Sequence, residues 1–159
     1  MGRSAIEITL TLNGAPVRAE VAPNELLLDF LRDRQGLTGT KRSCEVQVCG
    51  ACTVLVDGAP VSSCCYLAYD THAREVLTIE GLSERPVFAL LLDAFTSHAA
   101  VQCGFCTPGM LLTIAALLES GELSSESEAR VNLSGNLCRC TGYRSVLDAV
   151  QAIVVGYRP

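Results

Sequence analysis

The sequence predicts an α+β fold in which a small mixed sheet with one helix comes first and a four-helix domain follows. The hydrophobic repeat changes from about two residues to about three and a half near Pro86, which marks a transition from strands to helices. Eight of the nine cysteines also fall into two quartets, one on each side of this transition. A chain of 159 residues can hold two small domains, and we place them at 1–82 and 83–159.

The first strands are predicted by alternating hydrophobicity. Apolar residues alternate with polar ones at Ile6, Ile8, Leu10 and Leu12. Asn13 and Gly14 are a strong hairpin signal, and the returning strand is expected over 17–21. Asn24 is expected to cap a short helix, and Gly36 to end it.

The rest of the first half is a cysteine-rich loop followed by short strands. The loop covers 44–52, and strands are predicted at 53–56, 61–63 and 76–79. An Asp-Gly turn at 57–58 joins the first two of these strands. The pattern fits a small mixed sheet that packs against one helix.

Two long helices are predicted at the beginning of the second half. Pro86 suits the first position of a helix, and Thr107 with Pro108 provides a second start. The second helix is apolar on most sides over 110–118 and should be buried. Gly121 is expected to end it.

Two further helices complete the second half. Ser125 and Glu128 form a capping box for a short helix that ends near Asn132. The last helix is predicted over 143–155, where apolar residues form a continuous helical stripe.

The first cysteine quartet has the spacing C-x4-C-x2-C, with a fourth thiol twelve residues later: Cys44, Cys49, Cys52 and Cys64. This is the plant-ferredoxin arrangement for a [2Fe–2S] cluster, in which each iron takes two thiolates. Gly50 and Ala51 are small enough to let backbone N–H groups approach the sulfurs. A zinc site with four thiolates is the alternative, although zinc sites usually pair two C-x2-C segments.

Cys65, beside a ligand on a predicted strand, is expected to face the other way as a small buried residue.

The second quartet combines C-x2-C with C-x-C: Cys103, Cys106, Cys138 and Cys140. Both halves of this quartet precede predicted helix starts, so two helix N-termini are expected to point toward one negatively charged cluster. Arg139 could add positive potential there, or it could be an ordinary surface arginine. The spacing alone leaves a zinc site open, and the ferredoxin-type motif nearby favours iron–sulfur.

Composition argues against several classes of function. The net charge is −5 and no basic block is present, so we expect no nucleic-acid partner. The N-terminus lacks the apolar segment of a signal peptide, and the apolar run over 110–118 is shorter than the roughly 20 residues of a membrane span. We therefore expect a cytoplasmic protein, in which thiols serve as ligands rather than disulfides. His72 and His98 are isolated, so we predict no catalytic residue in this chain.

Four long motifs carry a family resemblance. They are GTKRSC at 39–44, CGACTVLVDG at 49–58, VQCGFCTPGM at 101–110 and GNLCRCTGY at 135–143. With these motifs in this order, the chain resembles the small [2Fe–2S] subunit of the xanthine oxidase family of molybdenum hydroxylases, of the aerobic carbon monoxide dehydrogenase or aldehyde oxidoreductase type. The resemblance implies a β-grasp ferredoxin-like domain followed by a four-helix [2Fe–2S] domain with a pseudo-twofold arrangement.

The resemblance also implies cofactors, partners and a direction of electron flow. Molybdopterin is expected on a large partner subunit and FAD on a medium one, in a dimer of heterotrimers. Electrons are expected to leave molybdenum through the cluster of the second quartet and reach FAD through that of the first. Gln102 matches a glutamine that hydrogen-bonds the pterin, and Cys140 matches a ligand whose sulfur also contacts it.

The chain departs from the family pattern at two places in the first loop. Ser43 stands where the family commonly has glycine, and it fits only if its φ stays negative or some strain is accepted. The segment 45–48 lacks a second glycine that is often found there.

Two other functions stay open from the residues: a free-standing two-cluster ferredoxin-like carrier, which would not need the helical half, and a zinc-stabilised interaction module.

Overall fold

The computed structural model describes residues 5–156 and has the predicted α+β architecture. Within these residues five strands form one sheet: β1 (Ile6–Leu12), β2 (Ala15–Val21), β3 (Thr53–Val56), β4 (Ala59–Ser62) and β5 (Glu75–Leu77). The α-helices of the same part of the chain are α1 (Leu27–Asp29), α2 (Ile79–Leu82), α3 (Pro86–Ser97), α4 (Thr107–Ser120), α5 (Glu126–Asn132) and α6 (Arg144–Gly156). A π-helical turn (Phe30–Arg34) extends α1, and 3-10 turns lie at Ser63–Cys65, Ala68–Thr71 and Leu133–Gly135.

The sheet is mixed, with the strand order β2-β1-β5-β3-β4. β1 pairs antiparallel with β2 and parallel with β5, whereas β3 is antiparallel to both β4 and β5. The predicted hairpin is confirmed, since Asn13 and Gly14 both adopt the left-handed backbone that a tight turn between twisted strands requires. Asn13 also accepts a hydrogen bond from the backbone N–H of Thr78 at 2.8 Å, which fixes the hairpin against the end of β5.

One face of the sheet packs against α1 and its π-helical extension. The core of this half is made of apolar side chains from β1, β3, β5 and the helix: Ile8, Leu10, Leu12, Leu27, Phe30, Leu31, Val54, Val56 and Val76. Gly36, in the left-handed region, follows the π-helical turn as predicted. This packing places the cysteine-rich loop at one end of the sheet.

The opposite face of the sheet packs against the helical half. All four residues of β3 are buried, and Leu55 and Leu77 join the core formed by α3, α4 and α6. The predicted burial of α4 is confirmed, because every residue over 109–118 is buried. β3 therefore contributes side chains to both cores. No helix within residues 5–156 has both the length and the apolar character needed to cross a membrane.

Several local predictions in the first half are wrong. Asn24 does not cap α1: the residue before the helix is Leu26, without a side-chain cap, because a turn closed by Glu25 N and Ala22 O ends one residue before it. The strand expected over 61–63 ends at Ser62, and that expected over 76–79 ends at Leu77.

The predictions for the last two helices hold with two changes at their starts. Ser125 Oγ accepts from the Glu128 N–H, but the Glu128 carboxylate accepts from Ser124 N rather than completing the predicted box. Tyr143 lies just before α6, in a left-handed conformation with φ +68°, and its hydroxyl accepts from the Cys138 N–H.

The two halves approach closely at a pair of glycines. A Cβ atom on Gly109, in the first turn of α4, would overlap the carbonyl oxygen of Gly50. A Cβ atom on Gly50 would overlap Gly135 O and crowd Asn136, and Gly50 has φ +65°. Only glycine fits these contacts, so they set how near the first cysteine loop lies to α4.

We expect Gly109→Ala to destabilise the protein. The added methyl group meets rigid backbone, so the halves must separate, and we expect the free energy of unfolding to fall by about 1–3 kcal/mol. Gly135→Ala is the matched control, because nothing lies within 4 Å of the added Cβ. Urea unfolding of the cluster-loaded protein measures both. Equal unfolding midpoints for the two variants would contradict the steric argument.

Candidate metal centres

The eight predicted cysteines come together as four pairs of thiols. Within the first quartet Cys44 contacts Cys49, and Cys52 contacts Cys64. Within the second, the sulfurs of Cys103 and Cys140 are 3.6 Å apart, and Cys106 contacts Cys138. Within residues 5–156 no group of three or more cysteine, histidine or acidic side chains is placed to hold a single metal ion.

The pair of Cys44 and Cys49 lies in a loop that directs backbone N–H groups at sulfur. The N–H of Cys49 is 3.4 Å from Cys44 Sγ, and Val46 and Val48 donate to the same sulfur. These backbone hydrogen bonds lower the pKa of Cys44 to about 6. The loop thus favours a negatively charged sulfur before any metal is considered.

Left-handed backbone at two non-glycine residues gives this loop its shape. Glu45 has φ +57° and Gln47 has φ +59°, at alternate positions between the first two thiols. Such conformations cost about 1 kcal/mol or more for non-glycine residues. The loop therefore accepts backbone strain where the family often has a second glycine. Ser43 is not among the residues with positive φ, so the serine fits as expected.

The pair of Cys52 and Cys64 is enclosed by protein. Both are buried beside Leu28, and burial raises the pKa of Cys52 to about 11. Cys64 lies in the 3-10 turn after β4, where the Ser63 hydroxyl donates to the Cys52 carbonyl at 2.7 Å. The first quartet therefore has a half-exposed outer pair and a buried inner pair.

Cys65 is not the small buried residue that we expected. β4 ends at Ser62 and the chain turns through Ser63–Cys65, so alternation along a strand no longer applies. The Cys65 side chain is exposed, and its sulfur lies 3.8 Å from that of Cys64.

The second quartet has the same division into outer and inner pairs. Cys103 and Cys140 are exposed, whereas Cys106 and Cys138 are half-buried. Burial raises the pKa of Cys106 to about 12. α4 begins directly after Cys106, as predicted, but α6 begins at Arg144 and not next to its cysteines.

Two hydroxyl groups hold Cys138. Burial raises the pKa of Cys138, but hydrogen bonds from the Thr141 side chain and nearby backbone outweigh it and keep that pKa below its ordinary value. The Thr141 hydroxyl donates to Cys138 Sγ at 3.2 Å. The Tyr143 hydroxyl accepts from Cys138 N at 2.9 Å and donates to the Asn136 carbonyl at 3.0 Å. The motif around these residues was visible in the sequence, but their contacts were not.

Gln102 and Arg139 both lie at the exposed side of the second quartet. The Gln102 amide nitrogen donates to the Cys140 carbonyl at 3.2 Å, so this side chain ties the two cysteine segments together. Arg139 is exposed.

Arg42 connects α1 to the first cysteine loop, a contact that sequence reasoning missed. Its guanidinium contacts Asp29 at the end of α1 and lies 3.3 Å from Glu45 in the cysteine loop. An arginine two residues before the first thiol was a signal, but nothing in the spacing identified a partner thirteen residues upstream.

Two family models match the chain along almost its whole length. A 2Fe-2S iron-sulfur cluster binding domain matches residues 10–78, and a [2Fe-2S] binding domain matches residues 78–151. The protein is thus a two-cluster iron–sulfur protein.

Two similar proteins extend this result. The small FeS subunit of nicotinate dehydrogenase from Eubacterium barkeri is 46% identical over 94% of this chain and 95% of its own. The iron-sulfur-binding subunit of xanthine dehydrogenase from Escherichia coli O157:H7 is 42% identical over 91% of this chain and 92% of its own. The chain belongs to the small iron–sulfur subunits of the xanthine oxidase family.

Solved structures agree with this fold. A chain of quinoline 2-oxidoreductase from Pseudomonas putida 86 superimposes with a TM-score of 0.88 and 45% identity, covering 96% of this chain and 95% of that one. Aldehyde oxidoreductase from Desulfovibrio gigas gives a TM-score of 0.86 and 35% identity, and there the match covers 94% of this chain and 17% of the larger one.

We expect Thr141→Val to lower the reduction potential of the cluster in the helical half. A hydrogen bond to sulfur stabilises the more negative, reduced state, and a difference of about 1 kcal/mol corresponds to about 40 mV for one electron. A redox titration followed by electron paramagnetic resonance (EPR) measures the shift. Thr141→Ser keeps the hydroxyl and should retain the original potential. A Val variant with the wild-type potential would contradict the role of this bond.

Proposed function

We propose that this chain is the electron-transfer subunit of a molybdenum-containing hydroxylase or dehydrogenase. Its partners are a large subunit that carries molybdopterin and a medium subunit that carries FAD, in a cytoplasmic dimer of heterotrimers. When bound, two [2Fe–2S] clusters supply one-electron transfer between the molybdopterin and the FAD. The names of the relatives support this role, since they are small iron–sulfur subunits of dehydrogenases.

The proposed ligands are the four thiol pairs. A [2Fe–2S] cluster needs two thiolates on each of two irons, which matches two pairs in each quartet. A single zinc ion instead takes four ligands around one centre, so the paired sulfurs favour iron–sulfur over the zinc-stabilised module. We further propose that Gln102 and Cys140, at the exposed pair of the second quartet, contact the pterin.

The proposal that electrons pass between the two sites rests on one hydrogen bond. The N–H of Leu137 donates to the carbonyl of Cys49 at 2.9 Å, across the boundary between the two halves. Leu137 is the residue before Cys138 in the sequence. A proposed ligand of each cluster is therefore connected to the other through covalent bonds and this single hydrogen bond.

The surface at the outer pair of each quartet supports fixed partners. Val101, Phe105 and Leu137 are exposed beside the second quartet, although they are large and apolar. At the first quartet Val46 is 64% exposed and Val48 is 58% exposed. Apolar side chains grouped around exposed redox ligands are typical of an interface, which favours a subunit of a complex over a free-standing carrier.

We expect Cys106→Ser to interrupt electron transfer while substrate still binds. The variant should lose the cluster of the helical half, and reduction of FAD by substrate should fall by roughly 100-fold or more. Stopped-flow absorbance of the complex measures this, with whichever of nicotinate, xanthine or an aldehyde bleaches the flavin of the unaltered complex.

Cys65→Ser is the matched control for this experiment, because Cys65 lies outside both quartets and is exposed. It should leave the iron content and the flavin reduction unchanged. Normal flavin reduction in Cys106→Ser would refute the proposed relay.

We expect Val46→Asp together with Val48→Asp to weaken association with the FAD subunit. If the partner covers these exposed valines, a carboxylate in their place must be desolvated on binding, so we expect a loss of binding free energy of roughly 2 kcal/mol or more. Co-purification followed by native mass spectrometry measures the assembly. Val131→Asp, at an exposed apolar residue of α5, is the control and should assemble normally. Equal assembly of both proteins would exclude this surface from the interface.

A further inference from the structure

A buried asparagine contacts both halves of the molecule at the point where the two cysteine sites approach each other. Asn136 is 4% exposed and lies two residues before Cys138. Its amide nitrogen donates to the Gly50 carbonyl at 3.2 Å and lies 3.4 Å from Thr53 Oγ1. Gly50 follows Cys49 directly, so this side chain reaches from the second quartet to the first.

The remaining polar groups of Asn136 face the helical half. Its amide oxygen accepts from the Thr113 hydroxyl of α4 at 3.0 Å. Its backbone carbonyl accepts from the Tyr143 hydroxyl, which also binds Cys138 N. Because the Gly50 carbonyl can only accept, the amide nitrogen must face it, and the orientation of the side chain is fixed.

Little room is left for the two segments to slide past each other. Gly50 and Gly109 are in backbone contact, and a Cβ atom on either would overlap its neighbours. The hydrogen bond between Leu137 N and Cys49 O lies next to this contact in the sequence. The position of the Asn136 side chain is therefore transmitted directly to both cysteine segments.

We infer that Asn136 is a positioning residue that sets the distance between the two [2Fe–2S] clusters. The inference rests on the proposed function, because it takes the two quartets as the cluster ligands. Asn136 acts through Gly50 on one side and through Leu137 and Tyr143 on the other. Electron transfer falls steeply with distance, so a residue that fixes this spacing also fixes the rate between the clusters.

The decisive variant is Asn136→Asp, which keeps the size of the side chain but replaces the donor with an acceptor. A carboxylate oxygen facing the Gly50 carbonyl is repelled, so the segments should move apart. The intact complex is reduced with dithionite, and the magnetic interaction between the two reduced clusters is measured by EPR. We expect partial loss of the dipolar splitting, with iron content and the separate signal of each cluster retained.

Asn132→Asp is the matched control, since it makes the same chemical change at an exposed asparagine four residues earlier. It should leave the splitting unchanged. An unchanged splitting in iron-loaded Asn136→Asp would overturn the inference.

A second variant decides the matter if Asn136→Asp does not retain its iron. Thr113→Val keeps the size of the side chain but removes the hydroxyl, which contacts the Asn136 amide oxygen and, within α4, the Gly109 carbonyl, each at 3.0 Å. We expect a smaller loss of splitting, and none at all would overturn the inference. Dithionite reduces the clusters without substrate, so this result is independent of whether the complex transfers electrons from substrate to flavin.

Discussion

Each iron of a [2Fe–2S] cluster needs two thiolates, and the fold brings the eight proposed ligands together in four such pairs. One pair comes from within a single loop, and another joins that loop to the turn after β4. Both pairs of the second quartet join the start of α4 to the segment before α6. The sheet and the helices hold these remote segments in register. Formation of a metal site from such remote segments is therefore coupled to folding.

The strand β3 connects the two halves energetically as well as physically. Val54 and Val56 pack in the core of the sheet and α1, whereas Leu55 packs with the helices. β3 is buried at all four positions and apolar from Val54 to Val56, as expected of a central strand covered on both faces, unlike the alternating β1. Loosening either half therefore exposes side chains that the other half needs.

The sequence was sufficient for features that depend on local pattern. The hairpin at Asn13, the start of α3 at Pro86 and the end of α4 at Gly121 each follow from the backbone preference of one residue type. The thiols that come together were evident from their spacing. The helix cap predicted at Asn24 is wrong because residues that cap helices also favour turns, and the chain forms a turn at this position.

The features that the sequence did not reveal are those that need distant neighbours. Arg42 connects the cysteine loop to α1 because the fold places Asp29 beside it. Gly50 was interpreted through its own loop, but its contacts with Gly135 and Asn136 come from the other half of the chain. Cys65 became exposed because a 3-10 turn replaced one residue of strand.

The enclosure of Cys52 and Cys64 has a consequence for biogenesis. With 2% and 3% of their surfaces accessible, these two side chains cannot be reached by a donor protein once the chain has closed around them. As proposed ligands of the first cluster, they have to receive iron and sulfide while this region is still open. Maturation is then a stage of folding rather than the filling of a finished pocket, and the cell has to deliver the inorganic core before the polypeptide completes its own structure.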